Sequence, residues 1–104
     1  MYLLNAFSVS MLDLVGRCQV EFEPIPIAEA RKLCQGATSA VGHAATARLF
    51  SEALGSEIAF NRASVFLSPG SVALLGQYVG PRLDEGATEL PFGAVIRWVR
   101  VTVK

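Results

Sequence analysis

The sequence has little charge. Asp, Glu, Lys and Arg make up 17% of its 104 residues, against about 25% in an average soluble domain. Nine basic and nine acidic side chains cancel, so no overall field draws the protein toward duplex DNA or an anionic membrane. Apolar residues make up 52%, which leaves a chain of this size with excess apolar surface. We therefore expect a homodimer in which any bound anion is held by locally placed side chains.

Segments typical of several functional classes are absent too. No stretch reaches the roughly 18 apolar residues that span a bilayer, and no basic segment precedes the apolar start at Tyr2–Phe7, which predicts a cytoplasmic protein. The two cysteines, Cys18 and Cys34, are far apart and form no C-x-x-C pair, which argues against disulfides and zinc. No Gly-rich phosphate loop, nucleophile elbow or His/Cys/Asp cluster is present, so we expect neither a metal nor a cofactor.

Turn residues divide the chain into segments of a single domain, residues 1–104. Apolar or alternating patterns predict strands over 2–7, 18–23, 58–67, 72–79 and 94–103, and helical spacing predicts helices over 27–34 and about 43–54. The turn sequence at 68–71 predicts a hairpin between the third and fourth of these strands, and residues 80–93 predict a long surface loop. We therefore expect a mixed α/β fold, in which a mixed sheet of about five strands carries both helices on one face and a second subunit on the other.

His43 is the only histidine, and it stands where the second predicted helix begins. The unperturbed pKa of a histidine lets the ring change charge near neutrality, and the positive end of a helix with its free N–H groups favours an anion there. A phosphate docked beside the ring would keep it protonated and make it a general acid. A lone histidine is more often structural, so its placement alone leaves both interpretations open.

Four other polar side chains are candidates for binding a ligand. Arg62, which follows Asn61, and Arg82 in the predicted loop offer forked guanidinium donors that match phosphate, although solvated surface arginines are common. Asn5 and Gln77 are amides within otherwise apolar segments, where an unpaired buried amide costs about 1–3 kcal/mol. Each amide therefore either binds a ligand or is satisfied within the sheet or at its edge.

These candidates fall within short blocks of sequence. The blocks are Leu4-Asn5-Ala6-Phe7-Ser8 with Met11-Leu12, Val41-Gly42-His43 with Thr46, Asn61-Arg62 with Val65, and Gln77 with Arg82-Leu83-Asp84-Glu85-Gly86. Together they resemble the small ring nucleases of type III CRISPR immunity, a family of viral anti-CRISPR proteins and bacterial relatives. The blocks follow that family's order and similar spacing over nearly the whole chain, and no single block is diagnostic without the others.

The resemblance implies a homodimeric enzyme that binds cyclic tetra-adenylate, cuts it into linear di-adenylates without a metal, and so switches off type III CRISPR signalling. It assigns the role of general acid to His43 and places Arg82 and Glu85 at the scissile phosphate. The residues to which it assigns substrate positioning are Asn5, Ser8, Arg62 and Gln77. The chain departs from the family after His43, where Ala44-Ala45 replace residues that are often polar in relatives.

RNA chemistry is consistent with so small a set of groups. The ribose 2′-OH is a built-in nucleophile, so the protein need only align it, stabilise charge on the phosphate and protonate the leaving 5′-oxygen. A two-fold dimer would present each group twice, which suits cutting a ring of four nucleotides into two equal halves. A second hypothesis, which Ala44-Ala45 keeps open, is a dimer that sequesters the cyclic nucleotide without cutting it. A third hypothesis is a structural dimer with no small ligand.

Overall fold

The computed structural model describes all 104 residues and contains one five-stranded sheet with two α-helices. Its elements in chain order are β1 (Tyr2–Leu4), β2 (Val20–Pro24), α1 (Ile27–Leu33), β3 (Thr38–Ala40), α2 (Ala44–Leu54), β4 (Val72–Val79) and β5 (Val95–Val103). A short 3₁₀ turn, Val9–Met11, follows β1. The structure confirms the predicted mixed α/β fold.

The sheet is mixed because it contains both parallel and antiparallel pairs of strands. The strand order is β2-β5-β4-β1-β3. β1 is parallel to both of its neighbours, with Leu3 opposite Leu74 in β4 and Ser39 in β3, whereas β5 is antiparallel to β4 and to β2. Parallel neighbours need crossover connections, and the two helices lie in those connections. The carboxyl ends of β1, β3 and β4 therefore meet at the same end of the sheet.

Both helices pack on one face of the sheet, as predicted, and that face carries the larger core. Ala30 of α1 and Leu54 of α2 are buried in the same cluster as Phe50 and Trp98, whose ring centroids are 4.9 Å apart. Gly76 of β4 lies against both rings. A Cβ at this position would lie 2.5 Å from Phe50 Cζ and 2.6 Å from Trp98 Cζ3, so the packing of the two rings requires glycine here.

The other face of the sheet is covered in part by the chain itself. Val65 and Leu67 are buried there in the same cluster as Leu4, and Met11 of the 3₁₀ turn packs against that cluster. The cover that we expected from a second subunit is thus provided at least partly by the chain's own loops. Apolar side chains remain on the outside of these loops, since Phe66 is 78% exposed.

Residues 58–67 do not form a strand, and the predicted hairpin with β4 is wrong. The segment pairs with other segments only at two isolated bridges, Phe60 with Val41 and Leu67 with Leu12. Ile58 packs against the helix-side core, whereas Leu67 is buried on the opposite face. Because the segment passes around the end of the sheet from one face to the other, its apolar residues serve two cores and its backbone cannot form a continuous ladder.

The remaining differences concern short strands and connections. β3 was not predicted, because three residues are too few to display a period-two pattern. β1 ends at Leu4 rather than Phe7, and β2 runs over Val20–Pro24 rather than 18–23. The hairpin of the structure joins β4 to β5, and the predicted loop is its connection. Both predicted helices are confirmed to within a residue, and α2 is followed by Gly55 in the left-handed conformation with φ 69°.

One cluster of ion pairs links the outer strands to α1. Arg100 of β5 donates to Glu23 of β2 and, at 3.2 Å, to Glu29 of α1. The hydrogen bond to Glu23 and the charge of that carboxylate raise the pKa of Arg100 above its ordinary value. The arginine side chain is 33% exposed, so solvent screens these pairs and their contribution to stability is small.

Candidate functional site

The candidate residues are gathered where three parallel strands end. Asn5 follows β1, Val41-Gly42-His43 follow β3, and Gln77 lies near the end of β4. β1 pairs in parallel with both β3 and β4, so these three strand ends lie side by side. In sheets with parallel strands, ligands bind outside the carboxyl ends, where loops and helix N-termini supply polar groups.

His43 is the N-cap residue of α2. Its backbone is extended, with φ −132° and ψ 127°, and its carbonyl oxygen accepts the first helical hydrogen bond from the Ala47 N–H at 2.9 Å. Its side chain makes no capping hydrogen bond and is exposed. The imidazole is therefore free to meet a ligand beside the unpaired N–H groups of the first helical turn.

Arg62 is brought to His43 by a loop that is tied to the end of β3. The Asn61 N–H donates to the Val41 carbonyl oxygen at 2.8 Å, and Asn61 Nδ2 donates to the Ser39 carbonyl oxygen at 2.6 Å. Arg62 Nε donates to the Gly42 carbonyl oxygen at 3.3 Å. The guanidinium thus lies across the residue that precedes His43, although the two are far apart in sequence.

Asn5 supports the same turn from the other side. Its Oδ1 accepts a hydrogen bond from the Gly42 N–H at 3.3 Å, so this amide is at least partly satisfied within the protein. Asn5 also lines a shallow hollow together with His43 and Arg62. Both interpretations of Asn5 therefore have a structural basis, because the side chain steadies the turn and faces the site.

The main hollow of the site lies at the start of α2 and has a volume of about 370 Å³. Its lining residues are Gly42, His43, Ala44, Ala45, Thr46, Phe60, Arg62, Leu83 and Glu85. Three of the predicted site residues, His43, Arg62 and Glu85, thus surround one space. An imidazole, a guanidinium and a carboxylate arranged in this way can bind a phosphate group and exchange a proton with it.

Four predicted site residues lie outside this hollow, and one of them, Asn5, lines only the adjacent shallow one. Ser8 caps the 3₁₀ turn, where its Oγ accepts from the Ser10 N–H at 3.3 Å. Gln77 is exposed and its Nε2 donates to the Tyr78 carbonyl oxygen at 3.1 Å. Arg82 is exposed on the loop that follows β4 and does not line the hollow. A role for these residues in binding stays a prediction.

Two residues of the site were not found from the sequence. Phe60 is 54% exposed and stands between the hollow and a groove of about 700 Å³ that runs along α2. Arg48 lines that groove and donates hydrogen bonds to the loop that carries Glu85. The position of Phe60 directly before Asn61-Arg62 was the available signal, whereas Arg48 had none beyond its place in a polar stripe of the helix.

The structure contains no group of three or more His, Cys, Asp or Glu side chains that could hold a metal ion. Cys34 is buried and Cys18 is half-buried, and both are free thiols. No helix is both long enough and apolar enough to cross a membrane.

Fold and site together define a small α/β domain with a polar hollow at the carboxyl ends of its parallel strands. The chain belongs to the STIV B116-like family, which it matches over residues 1–91. It is 36% identical over 90 residues to the uncharacterised protein ORF117 of Acidianus two-tailed virus, a match that covers 83% of this chain and 74% of that protein.

A solved structure shows the same fold. B116 of Sulfolobus turreted icosahedral virus superposes with a TM-score of 0.77, and the match covers 97% of each chain. The two sequences are 22% identical, so this similarity establishes the architecture alone. Both relatives are viral proteins, and the family is a viral protein family.

Proposed function

We propose that this protein is a metal-independent ring nuclease that cleaves cyclic tetra-adenylate into linear di-adenylates and thereby ends type III CRISPR signalling. The observation that carries the proposal is the meeting of His43, Arg62 and Glu85 in one hollow at the start of α2. Further support comes from the sequence blocks that resemble ring nucleases. The viral relatives favour the anti-CRISPR branch of those enzymes over the bacterial one.

In the proposed reaction the ribose 2′-oxygen attacks the adjacent phosphorus, and the bond from phosphorus to the 5′-oxygen breaks. His43 donates a proton to the departing 5′-oxygen, which is a step that general acids typically accelerate by about 10²–10⁴-fold. Arg62, which lines the hollow, offsets the negative charge on the phosphate oxygens. Arg82, which lies outside the hollow, is assigned to the same phosphate by the resemblance to ring nucleases. Glu85 is the only carboxylate that lines the hollow, and we assign to it the role of accepting the proton of the attacking 2′-OH.

A homodimer is part of the proposal because a ring of four phosphates extends beyond one hollow. Ser8, Gln77 and Arg82 lie outside the hollow of their own chain, and a two-fold partner would present each of them a second time around the ring. Apolar surface that such a partner could cover is present, since Val15 is 88% and Phe66 is 78% exposed.

A second candidate function is a dimer that sequesters the cyclic nucleotide without cutting it. The observation in its favour is the alanine pair after His43. Ala44 and Ala45 line the hollow at the first turn of α2, so neither residue offers a hydroxyl or carboxylate to orient the phosphate. In this alternative Arg62 and the helix N-terminus bind the anion, and His43 does not transfer a proton.

One assay separates these functions. Labelled rings of three, four and six adenylates are incubated with the protein and a metal chelator, and the products are separated by chromatography. We expect the four-membered ring to be converted into di-adenylates in the presence of chelator. An intact ring that nevertheless raises the melting temperature of the protein would favour sequestration, and the lack of both effects would refute both functions.

A further inference from the structure

The loop of residues 80–94 is tied to helix α2 by one side chain. Arg48 of α2 donates from Nε to the Ala87 carbonyl oxygen at 3.0 Å and from Nη2 to the Glu85 carbonyl oxygen. The other hydrogen bonds of the loop join residues three apart in sequence, such as the Ala87 N–H to the Asp84 carbonyl oxygen at 3.0 Å. Arg48 is therefore the residue whose hydrogen bonds join the loop to α2. The loop's other hydrogen bonds lie within it or reach the flanking strand β4.

These bonds fix the loop relative to His43. Arg48 and His43 belong to the same helix, one within it and the other at its N-cap. Because Arg48 binds main-chain oxygens, the carboxylate of Glu85 stays free, and it lines the hollow beside the imidazole. A rigid helix thus holds the imidazole directly and the carboxylate through the guanidinium of Arg48.

The position of Arg48 argues against a direct contact with the reacting phosphate. The side chain lines the groove along α2 and does not line the hollow that contains His43. Two of its nitrogen atoms are already engaged by loop carbonyls. A guanidinium offers forked donors in fixed geometry, which suits it to hold two carbonyl oxygens at once.

We propose that Arg48 is a positioning residue, which places the loop that carries Arg82 and Glu85 over the hollow of His43. This inference rests on the proposed ring-nuclease function. Loss of the side chain leaves the binding groups Arg62 and His43 in place and releases the loop. Misplacement of a reacting group by about 1 Å can cost on the order of 10²-fold in rate, so cleavage suffers more than binding.

The test compares Arg48→Ala and Arg48→Lys with a matched control, Arg31→Ala. Arg31 also ties a main-chain oxygen with its guanidinium, because its Nε and Nη2 donate to the Ala53 carbonyl oxygen at 3.2 and 3.1 Å, away from the loop. The first readout is amide hydrogen exchange of peptides within residues 80–94, which needs no substrate. The second is single-turnover cleavage of cyclic tetra-adenylate together with the dissociation constant of the uncut ring.

We expect Arg48→Ala to speed exchange in the loop, to slow cleavage by roughly 10–100-fold and to change the dissociation constant by less than about threefold. Arg48→Lys, with one charged donor group, should recover part of the rate, and Arg31→Ala should match the wild type in all three measurements. Unchanged amide hydrogen exchange of the loop in Arg48→Ala would refute the inference that Arg48 holds the loop. Faster exchange with a wild-type cleavage rate would refute positioning, and a loss confined to binding would make Arg48 a ligand-binding residue instead.

The same experiment keeps the two proposals apart. If the wild-type protein does not cleave the ring, the proposed function fails and the positioning role fails with it. The exchange measurement would still decide whether Arg48 holds the loop. If the wild type cleaves and Arg48→Ala cleaves equally well, the ring-nuclease proposal stands and the role of Arg48 is refuted.

Discussion

The protein has two regions whose residues are held by different means. Under the helices, Phe50, Gly76 and Trp98 are fixed by close packing, so any change in volume is felt. At the carboxyl ends of the parallel strands, His43 and Arg62 are exposed and are held by hydrogen bonds of the backbone around them. The difference predicts that substitutions can change stability and the proposed reaction separately. Variants of the first region should lower the free energy of unfolding, and variants of the second should change the proposed reaction.

The largest effect is expected at the site. His43→Ala should slow single-turnover cleavage of cyclic tetra-adenylate by about 10²–10⁴-fold, the range of general acid catalysis. Because the side chain is exposed and makes no capping hydrogen bond, the melting temperature and the affinity for the uncut ring should stay close to those of the wild type. Wild-type cleavage by this variant would remove the assigned acid, and a large loss of thermal stability would show that the two regions are not separable.

Gly76→Ala should lower the stability of the protein, whereas His43→Ala should lower the cleavage rate. The added methyl group would lie 2.5 Å from the ring of Phe50, which is fully buried and cannot move aside. Overpacking of this kind costs about 1–3 kcal/mol in the free energy of unfolding, measurable by urea denaturation. The matched control is Gly16→Ala, where a Cβ would meet nothing within 4 Å. Equal stability of the two variants would contradict the tight fit under the helices.

The exposed apolar surface provides a test of the dimer. Phe66→Ser should weaken self-association by about 2 kcal/mol if this ring is an interface anchor, and light scattering with size-exclusion chromatography would measure the change in mass. Phe92→Ser is the control, because Phe92 is also exposed but lies on the loop after β4 and not beside the residues that cover the sheet face opposite the helices. A wild-type protein that is monomeric at all concentrations would refute the dimer, and equal effects of both variants would refute this interface.

The smallest effect is expected at the ion pairs of the outer strands. Glu29→Gln removes one carboxylate from Arg100 but leaves Glu23 in contact with it. Solvent screens exposed pairs, so the midpoint of urea unfolding should shift little, and less at high salt. A shift as large as that of Gly76→Ala would show that this cluster, and not only the apolar core, holds α1 on the sheet.

The elements predicted correctly are those whose sequence pattern continues over many consecutive residues. α2 repeats its apolar residues over 11 positions and ends before a glycine, and β5 is a strand of nine residues. The segment 58–67 was misassigned because apolar residues that serve two different cores look, in sequence, like one strand. β3 was missed because its existence depends on the partner β1 and not on its own three residues.

The sequence by itself determined the fold class, both helices, the long loop and the polar residues available for chemistry, because helical spacing and turn residues act over short distances. Only the tertiary structure decided which of those residues meet. Parallel pairing of β1 with β3 and β4 places Asn5 beside Gly42 and His43, and the loop after Phe60 delivers Arg62 to them. The sequence also could not predict the close packing at Gly76 or the hydrogen bonds by which Arg48 holds the loop. Both depend on contacts between residues distant in the chain, and no local pattern records such contacts.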